Sequence, residues 1–304
     1  MVCLVDKTYC SDTQREPAGA DTISTETPRE NEKGFTLIEL LVVITIIALL
    51  LAILMPSLRK VKQLGRDIVC RSNLKQWALI WAMYTDENAG KFPHQVPGTN
   101  YTRGEWINAL RDKWQTEGDI VKCPSALKYK DFGNGDPHGS YTSTYLMGDT
   151  NNSDIKESCS YGMNTWAYSK KESLPGNEKN FWKTITVNSG SSTIPVFMDS
   201  MWRGGSPDYT NGDGDMTLPN APSEINDWPV QTFRGGIRHF ALPRHKSGAK
   251  AGTNVLFFDL SARPVMIKEM WTLKWHRNFD TGKWKTMRAT IWPGTWMVQF
   301  SEDF

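Results

Sequence analysis

The sequence predicts an α+β chain: one long N-terminal helix, transmembrane at its start and amphipathic beyond it, packed on a small antiparallel β-sheet with long loop excursions. Three observations carry this reading. Residues 35–55 form an apolar run of 21 residues, 15 of them Phe, Leu, Ile or Val. Helical spacing then continues past that run with a wet face. Beyond Lys91 the composition turns to Gly, Pro, Asn, Asp and Ser with short strand-like runs.

Residues 1–34 are polar, contain Thr, Glu and Pro, and hold no apolar run, so they are expected to stay disordered. As a helix, residues 35–55 would extend about 31 Å, close to the hydrocarbon thickness of a bilayer. Glu39 lies in the second turn of this run. An ionised side chain costs about 3 kcal/mol mid-membrane, and 15 large apolar residues at about −0.3 to −0.6 kcal/mol each outweigh it. The segment should insert, and an acid kept inside it reads as functional.

After Pro56 the residues Leu58, Val61, Leu64, Ile68, then Cys70, Leu74, Trp77, Ile80, Trp81 and Tyr84 recur at mostly helical steps, while Arg59, Lys62, Arg66, Arg71 and Lys75 make a wet face. One helix from Phe35 to about Asn88 is expected, loosened at Pro56 and ended by Ala89-Gly90. The division is therefore a polar 1–34, a transmembrane 35–56, an amphipathic helix 57–90 and a globular 91–304. Within the last, residues 106–114 read as a short helix. Strands are expected at 160–164, 194–199 and 254–259. A further run at 263–267 closes a hairpin through Leu260-Ser261. Residues 130–157 and 203–235 read as long loops.

Basic and acidic residues nearly balance, 35 against 33, which argues against a nucleic-acid partner. There is no Gly-x-Ser-x-Gly elbow and no phosphate-binding glycine loop, so no enzyme is expected. Of the five cysteines, Cys3 and Cys10 precede Gly34. For the remaining three, a Cys70–Cys123 disulfide is the preferred pairing, with three unpaired small hydrophobes (Cys159 included) as the alternative.

The succession Lys33-Gly34-Phe35-Thr36-Leu37-Ile38-Glu39-Leu40-Leu41, followed by the long apolar run, resembles the start of type IV pilins and type II secretion pseudopilins. The resemblance implies that 1–34 is a leader to be removed and 35–56 a fibre core, with cleavage after Gly34 by a prepilin peptidase and methylation of the new N-terminus at Phe35. It also implies that Glu39 answers the terminal amine of a neighbouring subunit, since two costly charges in lipid neutralise one another and fix register. Implied partners are other pseudopilins or copies of the chain and an inner-membrane assembly platform. The implied location is a single-pass inner-membrane precursor with a periplasmic head, maturing into a periplasmic or cell-surface fibre. A second resemblance runs through Cys70-Arg71-Ser72-Asn73-Leu74, Cys123-Pro124-Ser125, Tyr161-Gly162-Met163-Asn164 and Arg244-His245 to Asp259. It is to the large pilin-like secretion proteins of planctomycete, verrucomicrobial and lentisphaeral bacteria. Their C-terminal signature is a histidine, nine residues, then Asp-Gly. Here 13 residues separate His245 from Asp259, and Leu260 stands where the glycine would be.

Asn211, Asp213 and Asp215 alternate in a way that lets a turn converge on Ca²⁺, although the glycine and glutamate of an EF-hand are missing. The resembled family uses a calcium loop in its major subunits; otherwise no cofactor is expected. His239, His245, Asp199 and Asp259 form a weaker metal set, against which His245 and Arg244 order a loop by bonding carbonyls or Asp259. Thirteen tryptophans admit a second function, a membrane-anchored module that binds polysaccharide and does not polymerise. Core packing is their simpler use.

Overall fold

The computed structural model describes residues 34–94, 104–114, 118–126, 128–129, 138–147, 157–169, 178–205, 207, 236–245, 250–290, 293 and 296–303. The calcium candidates Asn211, Asp213 and Asp215 lie outside these residues, as does most of the expected loop at 203–235.

Helix α1 covers Leu37–Glu87 without interruption, Pro56 included. Its first part is apolar on nearly every side and exposed throughout, long and apolar enough to cross a membrane. The buried stripe of the second part is shorter than the spacing predicts: Cys70, Leu74, Trp77, Ile80 and Trp81 are buried at three- or four-residue steps, whereas Leu58, Val61, Leu64 and Ile68 are exposed, because the head packs on the helix only from Asp67 on. Ala89 and Gly90 both take left-handed backbone, and the Gly90 N–H returns to the Thr85 carbonyl at 2.7 Å. Consecutive left-handed residues cannot continue a right-handed helix, so α1 ends there as the sequence predicts.

The expected helix at 106–114 is instead two short pieces, α2 (Glu105–Ala109) and α3 (Arg111–Trp114), broken at Leu110. Next come a two-stranded ribbon of β1 (Tyr145–Leu146) and β2 (Ser158–Cys159), and a five-stranded sheet in the order β5-β3-β4-β6-β7. The sheet strands are β3 (Tyr161–Asn164), β4 (Pro195–Asp199), β5 (Gly204–Gly205), β6 (Gly252–Phe257) and β7 (Ala262–Met266). Pairing is antiparallel except at one edge, where β5 runs parallel to β3. Helix α4 (Lys283–Thr290) lies in the tail.

The central strands are buried at every position. Gly162 in β3 is required by a close approach, since a Cβ there would stand 2.5 Å from the Trp202 carbonyl oxygen. The β6–β7 hairpin forms at the expected place, and its Leu260 adopts a φ of 64°. The left-handed geometry that favours glycine is therefore kept at this turn although the residue is leucine.

Tryptophans fill the seam between α1 and the sheet. Trp77 meets Phe197 of β4 at 4.9 Å and Trp106 edge-on at 5.5 Å, and donates its indole N–H to the Ile120 carbonyl at 3.1 Å. Trp81 meets Phe92 and Phe197. Trp166 and Trp275 are equally enclosed, and Asn164 donates to the carbonyls of Pro195 and Trp275, both at 2.9 Å, tying β3 to the C-terminal segment. Trp77→Ala removes a fully buried ring and should cost about 3–5 kcal/mol. Thermal unfolding of the detergent-solubilised chain, followed by near-ultraviolet circular dichroism, measures the loss.

Candidate functional site

Two places concentrate chemistry. The first is the start of α1, where a capping box is formed. The Glu39 N–H donates to Thr36 Oγ1 at 3.3 Å, while Glu39 Oε2 accepts from the Thr36 N–H at 2.8 Å and from its hydroxyl at 2.7 Å. The Thr-x-x-Glu spacing that signals this cap is visible in the sequence, yet the reading of Glu39 as a partner for another subunit passed over it. Phe35 is exposed, and a Cβ at Gly34 would meet nothing within 4 Å. Among the described residues, packing therefore gives no reason for glycine at position 34.

The second place is wholly internal. Four segments bring Cys70 of α1, Cys123, Asp199 at the end of β4 and His245 together, all buried, with their ligating atoms within 4.8 Å of one another. His245 is held where it is by the bridge that pairs it with Gly252 at the start of β6. Its Nε2 stands 3.0 Å from Asp199 Oδ2 and 3.3 Å from Cys123 Sγ. The Cys70 thiol is 3.4 Å from Asp199 Oδ2 and accepts from the Tyr161 hydroxyl at 3.3 Å. Cys123 Sγ also accepts the Ser125 N–H at 3.4 Å.

Around this centre stands a polar shell. Asp67, one turn before Cys70 on α1, places Oδ1 3.5 Å from His245 Nδ1 and accepts from Asn254 Nδ2 at 2.8 Å. Arg244 donates to the carbonyls of Ser160 (2.7 Å), Ser140 (2.9 Å), Tyr141 (2.9 Å) and Ser200 (3.0 Å), with Asp199 Oδ1 at 3.4 Å. Asp199 Oδ2 takes in addition the Asn254 N–H at 3.1 Å.

The titration of these groups follows from what faces them. Burial pushes Asp199 up, but the His245 charge and hydrogen bond, then Arg244, outweigh it and hold the carboxyl at about 2. Burial pulls His245 down, and the same Asp199 contacts overcome this and raise it to about 10. Burial drives the Cys70 thiol well up. Cys123 is also pushed up by burial, yet its bonds to Cys70 and His245 bring it to about 7. The cluster thus joins an ion pair to one reluctant and one easily ionised thiol.

The structure brings the preferred cysteine pair together, but as free thiols in this cluster, and Cys159 is a third buried thiol. His245 and Asp259 are not partners: Asp259 sits on the exposed hairpin turn and accepts from the Ser261 N–H and hydroxyl at 3.0 and 2.6 Å. The Arg244 bonds to carbonyls agree with its expected loop-ordering role. Of the metal set read from the sequence, Asp199 and His245 meet, with Cys70 and Cys123 in the places given to His239 and Asp259. No local spacing marks this quartet, since its members come from distant segments.

Comparison with known proteins bears on the segment that holds the first of these places. Residues 29–55 match the family model for the prokaryotic N-terminal methylation motif. The chain is also similar to the type IV wide pilus major component PilA4 of Thermus thermophilus, 45% identical over 58 residues. That match covers 19% of this chain and 44% of the relative, so the chain spans less than half the length of the curated protein it matches. No solved structure matches the chain. The N-terminal segment is thus similar to that of a type IV pilin.

Removing Arg244 would take a donor from four carbonyls, of which Ser160 keeps the Ser200 N–H at 2.7 Å, and leave Asp199 short of a counter-charge. Arg244→Ala should lower stability by about 3–5 kcal/mol. Arg244→Lys should recover little, because an ammonium lacks the planar fork that reaches all of these acceptors. Thermal melts of the two variants against the parent chain measure both effects.

Proposed function

We propose that the chain is a pseudopilin, a structural subunit of a type II secretion or type IV pilus-like system. It is made as a single-span precursor, cut after Gly34 by a prepilin peptidase, methylated at Phe35 and assembled into a helical fibre through α1. One observation carries the proposal: a prokaryotic N-terminal methylation motif lies on a helix start whose apolar surface is exposed throughout and whose single acid is Glu39. Such a surface needs lipid first and other helices later. The assembly contact is heterologous and does not close, which produces a fibre. Partners are an inner-membrane assembly platform and other pseudopilins or copies of the chain, and the head is periplasmic.

Gly34 fits this reading because the chain itself leaves its Cβ position open, so the demand for glycine comes from outside, from the peptidase. The capping box fits too. Both Thr36 donors go to Glu39 Oε2, which leaves Oε1 for a neighbour's amine. The glycan-binding alternative gains no support, since Trp77, Trp81, Trp106, Trp166, Trp271 and Trp275 are spent in the core.

N-terminal mass analysis of protein from native membranes should find a mature chain beginning at methylated Phe35; a chain still beginning at Met1 overturns the reading. Glu39→Val should insert in the membrane and fail to enter fibres. Glu39→Gln keeps an oxygen for the cap and removes the charge, so it should also fail to assemble if charge sets the register. Fibre incorporation, measured by cross-linking ladders, decides both.

A further inference from the structure

The buried quartet has no part in cleavage, membrane insertion or fibre contact as described above. We propose that Cys70, Cys123, His245 and Asp199 form a structural zinc site that clamps α1 to the sheet of the head.

The donor set is the first argument. Two sulfurs, one imidazole nitrogen and one carboxylate oxygen suit a borderline-soft ion such as Zn²⁺ and do not suit Ca²⁺ or Mg²⁺, which take oxygen. Spacing is the second. Tetrahedral zinc with bonds of about 2.0–2.3 Å sets neighbouring ligand atoms about 3.3–3.8 Å apart. His245 Nε2–Asp199 Oδ2, Cys123 Sγ–His245 Nε2 and Cys70 Sγ–Asp199 Oδ2 are 3.0, 3.3 and 3.4 Å, three separations within a few tenths of an ångström of those edges, and all four ligand atoms lie within 4.8 Å of one another.

The surroundings are the third. The other nitrogen of His245 faces the Asp67 carboxylate, the arrangement that fixes the tautomer of a metal-bound histidine. Cys123 Sγ receives the Ser125 N–H and Cys70 Sγ the Tyr161 hydroxyl, donors of the kind that stabilise a thiolate. Charge closes as well: two thiolates and one carboxylate are balanced by a dication and the adjoining Arg244. On binding, the thiols and the imidazolium release their protons to solvent as the metal takes their place. The four ligands come from four separated stretches, so one ion would close three long loops at once.

Full-length protein, purified in detergent without chelator and then given one equivalent of Zn²⁺ and desalted, is the material for the test. Elemental analysis should find about one zinc per chain. Replacement by Co²⁺ should give a thiolate-to-cobalt charge-transfer band in the near ultraviolet, which Cys70→Ser weakens, since one of the two thiolate ligands is lost, and Cys159→Ala leaves in place. Competition with a chromophoric chelator should show at least ~10-fold weaker binding in His245→Ala. Asp67→Asn, a positioning change, should weaken binding by about 10–100-fold. A folded parent chain that holds no zinc overturns the proposal, whether its thiols are free or joined as a Cys70–Cys123 disulfide by non-reducing mass mapping. Equal zinc in the parent and in Cys70→Ser also overturns it. The parent measurement stands even where a variant does not fold.

Discussion

A carboxylate with no access to water must be neutralised by the protein, and in the head of this chain that carboxylate is Asp199. It lies at the end of the central strand β4, against α1 and beside the segment that leads into β6. Burial there is tolerable only because Arg244 and His245 supply positive charge and Asn254 supplies a backbone donor. Each of those groups has a further task. The Arg244 guanidinium gathers carbonyls from otherwise unstructured stretches, and His245 reaches back through Asp67 to the helix. Loops that lack regular hydrogen bonding are thereby fixed to the sheet by one charged group.

Helix α1 changes character along its length. Up to Met55 it is apolar on nearly every side, long and apolar enough to cross a membrane. The second half confines its apolar residues to one stripe and places Asp67, Cys70 and Asn73 along the same face as polar teeth. Asn73 donates to the Lys122 carbonyl at 3.0 Å, and Trp77 does the same for Ile120 one turn on. Large aromatics with one polar handle suit this seam, because they bury much area and still satisfy stray carbonyls. That use accounts for the abundance of tryptophan better than an outward-facing binding surface does.

The elements of regular spacing were legible from the residues alone. The stripe from Cys70 to Trp81, the stop at Ala89-Gly90 and the β6–β7 hairpin each follow from a local rule. The break at Leu110 was not legible, since Trp106, Ile107 and Leu110 share a face whether the helix continues or not. The parallel edge strand β5 is two glycines long and gives no propensity signal. At the N-terminus the glycine, the acid and the apolar run could be read directly, because they act on neighbours in sequence. The capping role of Glu39 could also have been read, from Thr36. The Cys70, Cys123, Asp199 and His245 cluster could not, because only tertiary pairing of β4 with β6, and of both with α1, brings its members within reach.

Leu260 shows how a turn can be held by something other than its own preference. A leucine in left-handed backbone gives up about 1–2 kcal/mol relative to a relaxed conformation. Its side chain is half-buried against the hydrophobic core, a contact that glycine lacks. The hairpin tip is therefore spring-loaded, shut by the apolar surface beneath it. If that surface is disturbed, the tip is the part of the sheet with most to gain from letting go.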